Sequence, residues 1–192
     1  MFTVIEDFYS QSDLGLVIAH FVNLPFDQTH RSRDWAVTHR LQAYPVHETS
    51  VFERSEHPLH PYSIFKKTFE TKTNQKIIYL ETFLRKIKLS ELKESAVYKK
   101  DRPHKDKEIF DYAGLIYFNS NSILDGTKLY NDERDFDPTI IIGSKVNRCV
   151  YYGTQQPHSV PFDQRVDERW VQPFFIITNE ETFKKYKDTN GT

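Results

Sequence analysis

Apolar residues in the first half of the chain recur at helical spacing in two places. The first stripe predicts a helix that Ser12 could cap and that Pro25 ends. The second predicts a helix from a cap at Asn74 to about Lys93. Residues 26–73 have no sustained period and are predicted as loops with a strand or two. The two stripes are Leu14, Val17, Ile18, Phe21 and Val22, and Ile77, Leu80, Leu84 and Ile87.

After residue 95 the pattern changes to short runs of β-branched and aromatic residues, separated by turn-forming dipeptides such as Asp-Gly and Asp-Pro. With short extended segments at His104 and His158 added, these runs give about eight strands, the number in a jelly roll. Pro173 suggests an edge or a bulge in the last strand. The runs are 96–98, 112–118, 127–130, 139–142, 148–152 and 170–177.

These patterns predict a mainly β fold with N-terminal helices, a double-stranded β-helix or jelly roll. The length of 192 residues favours a single domain. We expect residues 1–95 to form helical and irregular support, and residues 96–177 to form the β core. Residues 178–192 form a polar C-terminal tail that is expected to fray.

Composition narrows the class of protein. The formal net charge of −1 provides no general attraction to nucleic acid or to an anionic membrane. No apolar run approaches the roughly 20 residues of a membrane-spanning helix, and the N-terminus lacks the layout of a signal peptide. The single cysteine, Cys149, excludes a disulfide framework and is expected to be buried and inert. A cytoplasmic location is therefore predicted.

The candidate chemistry starts at His104 and Asp106. A His-x-acid triplet is expected about once by chance in a chain with 8 histidines and 27 acidic residues, so its surroundings must support it. In an extended segment these two side chains point to the same side, whereas on a helix they would diverge. His158 follows later in the chain, and two imidazoles with one carboxylate can hold Fe(II) and leave three positions open. Arg169 then offers a planar fork for a carboxylate.

With these landmarks in order, the chain resembles the 2-oxoglutarate- and Fe(II)-dependent oxygenases, most closely their prolyl 4-hydroxylase-like branch. The resemblance extends from about residue 96 to residue 177, slightly under half of the chain. It implies that residues 96–177 form the catalytic core and that residues 1–95 supply the substrate mouth. Several landmarks in order are far more specific than any one of them. They are His104-x-Asp106, residues 115–119, 125–130, 147–152 and 157–160, and Arg169.

The resemblance implies a set of cofactors and roles. His104, Asp106 and His158 would bind Fe(II), Arg169 would pair with the distal carboxylate of 2-oxoglutarate, and Tyr117 would donate its hydroxyl to that carboxylate. With O₂ as the other cosubstrate, the activity would be hydroxylation of a C–H bond with release of succinate and CO₂. The substrate class would be a protein residue, with proline as one candidate, or an amino-acid-like small molecule.

Two departures from the family pattern stand out. The family often has Gly-Gly where this chain has Asp125-Gly126, a change that a turn tolerates well. The interval from His158 to Arg169 is slightly longer than usual, which makes Arg165 a rival for the cosubstrate carboxylate. Arg169 is preferred because the apolar strand 170–177 follows it directly.

Simpler roles are open for several of these residues. Tyr117 could be only a core aromatic on a buried strand. Arg169 could be a surface partner of a neighbouring acidic residue. Arg148 and Tyr152 could each face the cavity or away from it, since strand residues alternate.

Other histidines carry less weight. The basic stretch His30–Arg40 could contact substrate or nucleic acid, although a solvated face is the favoured interpretation. His47, His57 and His60 are alternative metal ligands, but their surroundings favour ordinary surface histidines.

Two further function classes fit the same pattern. One is a non-enzymatic jelly-roll binding or structural protein whose metal site is empty or structural. The other is a cupin-like metalloenzyme that does not use 2-oxoglutarate. The sequence leaves the identity of the substrate and the oligomeric state open.

Overall fold

The computed structural model describes residues 1–29, 46–88, 90–91, 103–161 and 165–190. Within them the protein is mainly β, with antiparallel sheets and helices packed on the larger sheet. The helices are α1 (Gln11–Asn23), α2 (Pro61–Thr73) and α3 (Glu180–Asn190). The strands are β1 (Phe2–Ile5), β2 (Asp27–Thr29), β3 (Val46–Glu48), β4 (Tyr79–Thr82), β5 (Arg85–Lys88), β6 (Tyr112–Tyr117), β7 (Ser122–Leu129), β8 (Ile140–Ser144), β9 (Cys149–Gly153), β10 (His158–Ser159) and β11 (Glu168–Ile177).

The larger sheet has the order β1-β9-β6-β11-β5-β3-β2, with β4 also paired to β11, and the smaller has the order β10-β7-β8. An antiparallel bridge between His104 and His158 continues the smaller sheet beyond β10. The predicted runs 112–118, 127–130, 139–142, 148–152 and 170–177 all coincide with strands. The predicted run 96–98 lies outside the described residues.

Pro173 lies in the centre of the larger sheet, where its position avoids a missing hydrogen bond. On one side β11 pairs with β5 through residue 171 and with β4 from residue 174 onward. Proline has no N–H to donate, and here it falls at the break between the two partner strands. The predicted irregularity is therefore a change of partner strand within a central strand and not an edge.

Successive side chains of β6 point to opposite faces of the larger sheet and belong to two different hydrophobic cores. Leu115 and Tyr117 belong to a cluster that also contains Leu129 of the smaller sheet, so this core lies between the two sheets. Ile116 points the other way, into a cluster with Phe65 of α2. The larger sheet thus has helices on one face and the smaller sheet on the other, as a layered β domain requires.

The helix predicted near the N-terminus is confirmed as α1. Its cap is Ser10, whose hydroxyl accepts the backbone N–H of Asp13, and not Ser12 as predicted. Its buried residues, which all belong to the predicted stripe, are Leu14, Val17 and Phe21.

The helix predicted from Asn74 to Lys93 is wrong, since strands β4 and β5 lie within this segment. Asn74 is left-handed, with φ 55°, and its N–H bonds to the carbonyl of Glu70, so it ends α2 instead of beginning a helix. All four apolar residues of the predicted stripe are buried, but Leu80 lies on β4 and Ile87 on β5, and both strands pair with β11. Tertiary pairing therefore overrides the local pattern.

Helix α2 was not predicted, because its segment was interpreted as loop. His60 caps it by accepting the N–H of Tyr62, and Pro61 occupies the first turn, where its missing N–H costs nothing. Phe65 and Phe69 bury their rings against Phe174 of β11. The helix is thus held by aromatic packing on the sheet more than by a regular apolar stripe.

In the C-terminal segment, where a polar tail was expected, residues Glu180–Asn190 form α3. The carboxylate of Asp111 accepts the N–H groups of Thr178 and Asn179 and the hydroxyl of Thr182. These bonds fix the segment that leads into the helix, and Oδ1 of Asn179 accepts the N–H of Glu181 in the first turn. None of the described helices has the length and apolar composition needed to cross a membrane.

Candidate active site

Backbone hydrogen bonds bring the two candidate histidines side by side. The N–H of His104 donates to the carbonyl of His158 and the N–H of His158 donates back, each at 2.9 Å. Two residues further, the N–H of Asp106 donates to the carbonyl of Thr154 at 3.0 Å. The extended segment 104–106 is therefore fixed against the segment 154–158 at both of its ends.

Three candidate metal ligands converge at this point. One ligand atom each from His104, Asp106 and His158 lie within 4.8 Å of one another, and no other such group occurs among the described residues. Nε2 of His158 lies 3.5 Å from Oδ2 of Asp106, and the two imidazole centroids are 4.3 Å apart. The side chains of His104 and Asp106 thus reach one site, as an extended His-x-Asp segment predicts.

The surroundings of His158 leave its Nε2 atom available as a metal ligand. Its Nδ1 lies 3.0 Å from the carbonyl oxygen of Gln156, which can only accept, so Nδ1 carries the proton. Burial lowers the pKa of His158 to about 4, so the ring is neutral near pH 7. Nε2 then presents a lone pair towards Asp106. The ring of Tyr152 packs against the imidazole at 4.5 Å between centroids.

Burial acts in the opposite direction on the acid of the triad. It raises the pKa of Asp106 to about 6, although the charges of His104 and Arg85 oppose this rise. A carboxylate and an imidazole lone pair therefore face each other across a short gap. Such a donor set fits a divalent cation, and two imidazoles with one carboxylate suit Fe(II).

Arg169 points into the core between the sheets. It lies two residues before Val171 on β11 and shares its face, and its side chain is 2% exposed. Its Nη1 donates to the carbonyl of Pro161 at 3.1 Å and its Nη2 to that of Gly126 at 3.2 Å. The alternative of a surface ion pair is therefore wrong. Arg165, its rival, is exposed.

Tyr117 lies beside this arginine. The guanidinium carbon of Arg169 is 5.1 Å from the Tyr117 ring centroid, and the tyrosine hydroxyl is 2.8 Å from Oγ1 of Thr127. Burial raises the pKa of Tyr117 to about 12, so the hydroxyl keeps its proton at neutral pH. A neutral hydroxyl can donate to a carboxylate brought to Arg169.

Asp125 is the residue that sequence reasoning missed. Asp125-Gly126 lies within β7 and not in a turn, at a shift of register between Ser122 and Gly126. The Asp125 side chain is 1% exposed, and its Oδ1 is 3.1 Å from Nη1 of Arg169. The departure from Gly-Gly was the signal available in the sequence.

Gly126 itself is required by a close approach. A Cβ on this residue would come within 2.1 Å of the carbonyl oxygen of Ile142 on β8. Only glycine fits where the two backbones lie so close.

The orientation of Arg148 and Tyr152 is settled by their contacts. Tyr152 is buried in the core between the sheets, and its pKa is raised by burial and by Asp106 while Arg169 lowers it. It thus lies near both the triad and the arginine. Arg148 instead pairs with Glu6 at 2.6 Å, away from that core.

The other candidate residues take structural roles or lie elsewhere. His47 bonds to Glu91 at 2.8 Å, and the ring nitrogens of His57 and His60 accept nearby backbone N–H groups. Cys149 is fully buried, as predicted, and burial raises its pKa. The stretch His30–Arg40 lies outside the described residues.

The fold matches solved structures of 2-oxoglutarate- and iron-dependent oxygenases. One is a prolyl hydroxylase from Trichoplax adhaerens in complex with a hypoxia inducible factor peptide fragment. Its sequence is 14% identical, the TM-score is 0.65, and the match covers 100% of this chain and 87% of that chain. A 2OG-Fe(II) oxygenase family oxidoreductase from Burkholderia pseudomallei has 9% identity, with a TM-score of 0.58 and coverages of 93% and 86%. HygX from Streptomyces hygroscopicus, with nickel, 2-oxoglutarate and hygromycin B bound, has 9% identity, with a TM-score of 0.58 and coverages of 93% and 83%.

No protein-family model matches the sequence, and no curated protein matches it. At such low identities the structural likeness establishes the fold. The chain therefore has the fold of the 2-oxoglutarate- and Fe(II)-dependent oxygenases, prolyl hydroxylases included, in agreement with the resemblance of its motifs.

Proposed function

We propose that this protein is an Fe(II)- and 2-oxoglutarate-dependent oxygenase that hydroxylates a C–H bond of a protein residue or of an amino-acid-like small molecule. The observation that carries the proposal is the convergence of His104, Asp106 and His158, with ligand atoms within 4.8 Å of one another. It occurs in a fold shared with enzymes of that class.

We further infer that the two sheets form a double-stranded β-helix within one domain spanning 1–192. The order β5-β11-β6-β9 in the larger sheet, and the order His104 bridge-β10-β7-β8 in the smaller, support this inference. From His104 onward the chain passes from one sheet to the other between successive extended segments, except at the pair β7 and β8, as in a jelly roll wound from two layers. The metal site and Arg169 would then share the space between the layers.

In this proposal His104, Asp106 and His158 hold the iron. The neutral His158 and the carboxylate of Asp106 supply donors that need no rearrangement of the backbone, since both segments are hydrogen-bonded in place. When bound, Fe(II) and 2-oxoglutarate supply oxidative chemistry that consumes O₂ and releases succinate and CO₂. The protein contributes the ligands, the orientation and the exclusion of water.

Arg169 would hold the distal carboxylate of 2-oxoglutarate, assisted by the hydroxyl of Tyr117. A buried carboxylate must be paired and hydrogen-bonded, and these two residues lie together in the core. Tyr152 packs on His158 and belongs to the hydrophobic core between the sheets, so its ring would cover the space between the triad and Arg169. Water would be excluded from the reacting atoms by these buried rings.

The structural neighbours support a peptide or a small molecule as the substrate. One structural neighbour is solved with a peptide fragment and another with hygromycin B. A protein substrate, with a prolyl residue as one candidate, and an amino-acid-like metabolite both fit this range. Nucleic acid and membrane are not proposed as partners, and a cytoplasmic location remains the expectation from the sequence.

The test is 2-oxoglutarate-dependent formation of succinate by the Fe(II)-loaded protein, with pools of peptides and amino acids screened for stimulation. We expect succinate release that requires iron and O₂ and that His158→Ala abolishes. His47→Ala is the matched control, because it removes a histidine that bonds Glu91 and lies outside the triad. Succinate release that is equal in wild type and His158→Ala would overturn the proposal.

A further inference from the structure

Arg169, the proposed anchor for the cosubstrate, already faces a carboxylate of this protein. Oδ1 of Asp125 lies 3.1 Å from Nη1 of Arg169, and both side chains are almost completely buried. Taken together, the two side chains carry no net charge.

Asp125 is held in this position by its own neighbours. Its Oδ2 accepts the hydroxyl of Ser120 at 2.7 Å, and that hydroxyl lies 2.6 Å from the hydroxyl of Ser144. Asp125 lies at the shift of register in β7 between Ser122 and Gly126, and its carboxylate points into the core there. The arrangement is therefore built into β7 and β8 and does not depend on a mobile surface side chain.

The charge balance differs from that of an arginine alone. An unpaired buried arginine gains its counter-ion when a keto-diacid places its distal carboxylate beside it. Beside Arg169 and Asp125, the same carboxylate leaves one buried negative charge uncompensated, which is costly. A 2-oxo acid whose tail is uncharged has no such cost.

We propose that Asp125 is a specificity-determining residue for the cosubstrate. The charge of Asp125 offsets the affinity that Arg169 would otherwise give to the distal carboxylate of 2-oxoglutarate. A 2-oxo acid with an uncharged tail therefore competes for the pocket. The proposal rests on the proposed function, since it assumes that a 2-oxo acid binds beside the triad. It concerns the tail of the cosubstrate and leaves the head, which would contact the metal, unchanged.

The test compares two ligands that differ only at the tail, 2-oxoglutarate and 2-oxovalerate. Each is titrated calorimetrically into the full chain loaded with Ni(II), so that binding is measured without turnover. The variants are Asp125→Asn, which removes the charge at nearly constant size, and Asp125→Gly, which restores the residue common in the family. Asp132→Asn is the matched control, because it removes an exposed carboxylate that pairs with Arg134 instead.

In the wild type we expect 2-oxoglutarate to bind no more than about tenfold more tightly than 2-oxovalerate, because the arginine is already balanced. In Asp125→Asn and Asp125→Gly this preference should increase by at least about tenfold, while Asp132→Asn leaves it unchanged. A wild-type preference above about 100-fold for 2-oxoglutarate would overturn the inference even if both variants fail to fold.

The same titration separates the two proposals. If wild type binds 2-oxoglutarate with a strong preference that the Asp125 variants do not alter, the role of Asp125 is wrong and the proposed function stands. If the Ni(II)-loaded wild type binds neither 2-oxo acid, the proposed function fails and the inference fails with it.

Discussion

The two ends of the space between the sheets differ in how their charges are balanced. At the triad, Asp106 faces the lone pair of His158, and the pKa of Asp106 is raised to about 6. A cation between these two donors is therefore favourable. At the anchor, Arg169 already has Asp125 as its counter-ion. Metal binding therefore relieves an imbalance at the first end, whereas a carboxylate creates one at the second.

The largest effect is expected from breaking the anchor pair. Arg169→Met leaves the Asp125 carboxylate buried without its cation, which should lower the free energy of unfolding by about 3–5 kcal/mol. Urea denaturation of the metal-free protein measures this change.

The double variant Arg169→Met with Asp125→Leu provides the control. Because it removes both charges, most of the lost stability should return. If the double variant is no more stable than Arg169→Met, Arg169 and Asp125 do not balance each other's charge in the folded protein.

At the triad, His158→Ala should weaken metal binding by more than about 100-fold, since removing even a supporting residue of a metal site costs 10–100-fold. Calorimetric titration with Ni(II) measures the affinity. The matched variant His47→Ala, at the pair with Glu91, should bind the metal as wild type does. Equal affinity in His158→Ala would remove His158 from the ligand set.

The pH dependence of metal binding tests the raised pKa of Asp106 at the triad. Metal requires the ionised carboxylate of Asp106, and because its pKa is raised to about 6, protons begin to compete near that pH and not near 4. Affinity should therefore fall by at least about tenfold from pH 7 to pH 5. His158 adds nothing in this window, because its pKa is lowered to about 4. A constant affinity between these pH values would contradict the raised pKa.

The smallest effect is expected at Tyr117. Tyr117→Phe removes one hydroxyl and leaves the ring beside Arg169, so 2-oxoglutarate affinity should fall by about 0.5–1.5 kcal/mol. Metal affinity should not change, because the hydroxyl bonds Thr127 and not a triad residue. A loss of metal binding in this variant would mean that the two ends are not independent.

The local features of the site were predictable from the sequence. The spacing of His104 and Asp106 together with an extended backbone indicates that both point to one side, and the β-branched runs predict most strands of the core. The buried position of Arg169 follows from the apolar strand that continues after it. These signals are carried by neighbouring residues, which is why they are visible without a structure.

The features that depend on distant pairing were not predictable. Asp125-Gly126 has the composition of a turn, and only its pairing with β8 and its contact with Arg169 reveal a buried strand. The apolar spacing of residues 77–87 is typical of a helix, and only pairing with the distant β11 reveals the strands β4 and β5 there. Helix α3 is anchored to the distant Asp111 through Thr178, Asn179 and Thr182, contacts that the polar sequence of the helix does not indicate.

The most direct test of the triad is an anaerobic titration of the purified protein with Fe(II) followed by 2-oxo acid, monitored for the weak visible charge-transfer band of an iron-chelated 2-oxo acid. We expect one iron per chain and a band that appears with 2-oxoglutarate or 2-oxovalerate and is absent in His104→Ala and His158→Ala. A wild-type protein that binds no iron, or that shows no band with either 2-oxo acid, would contradict the account.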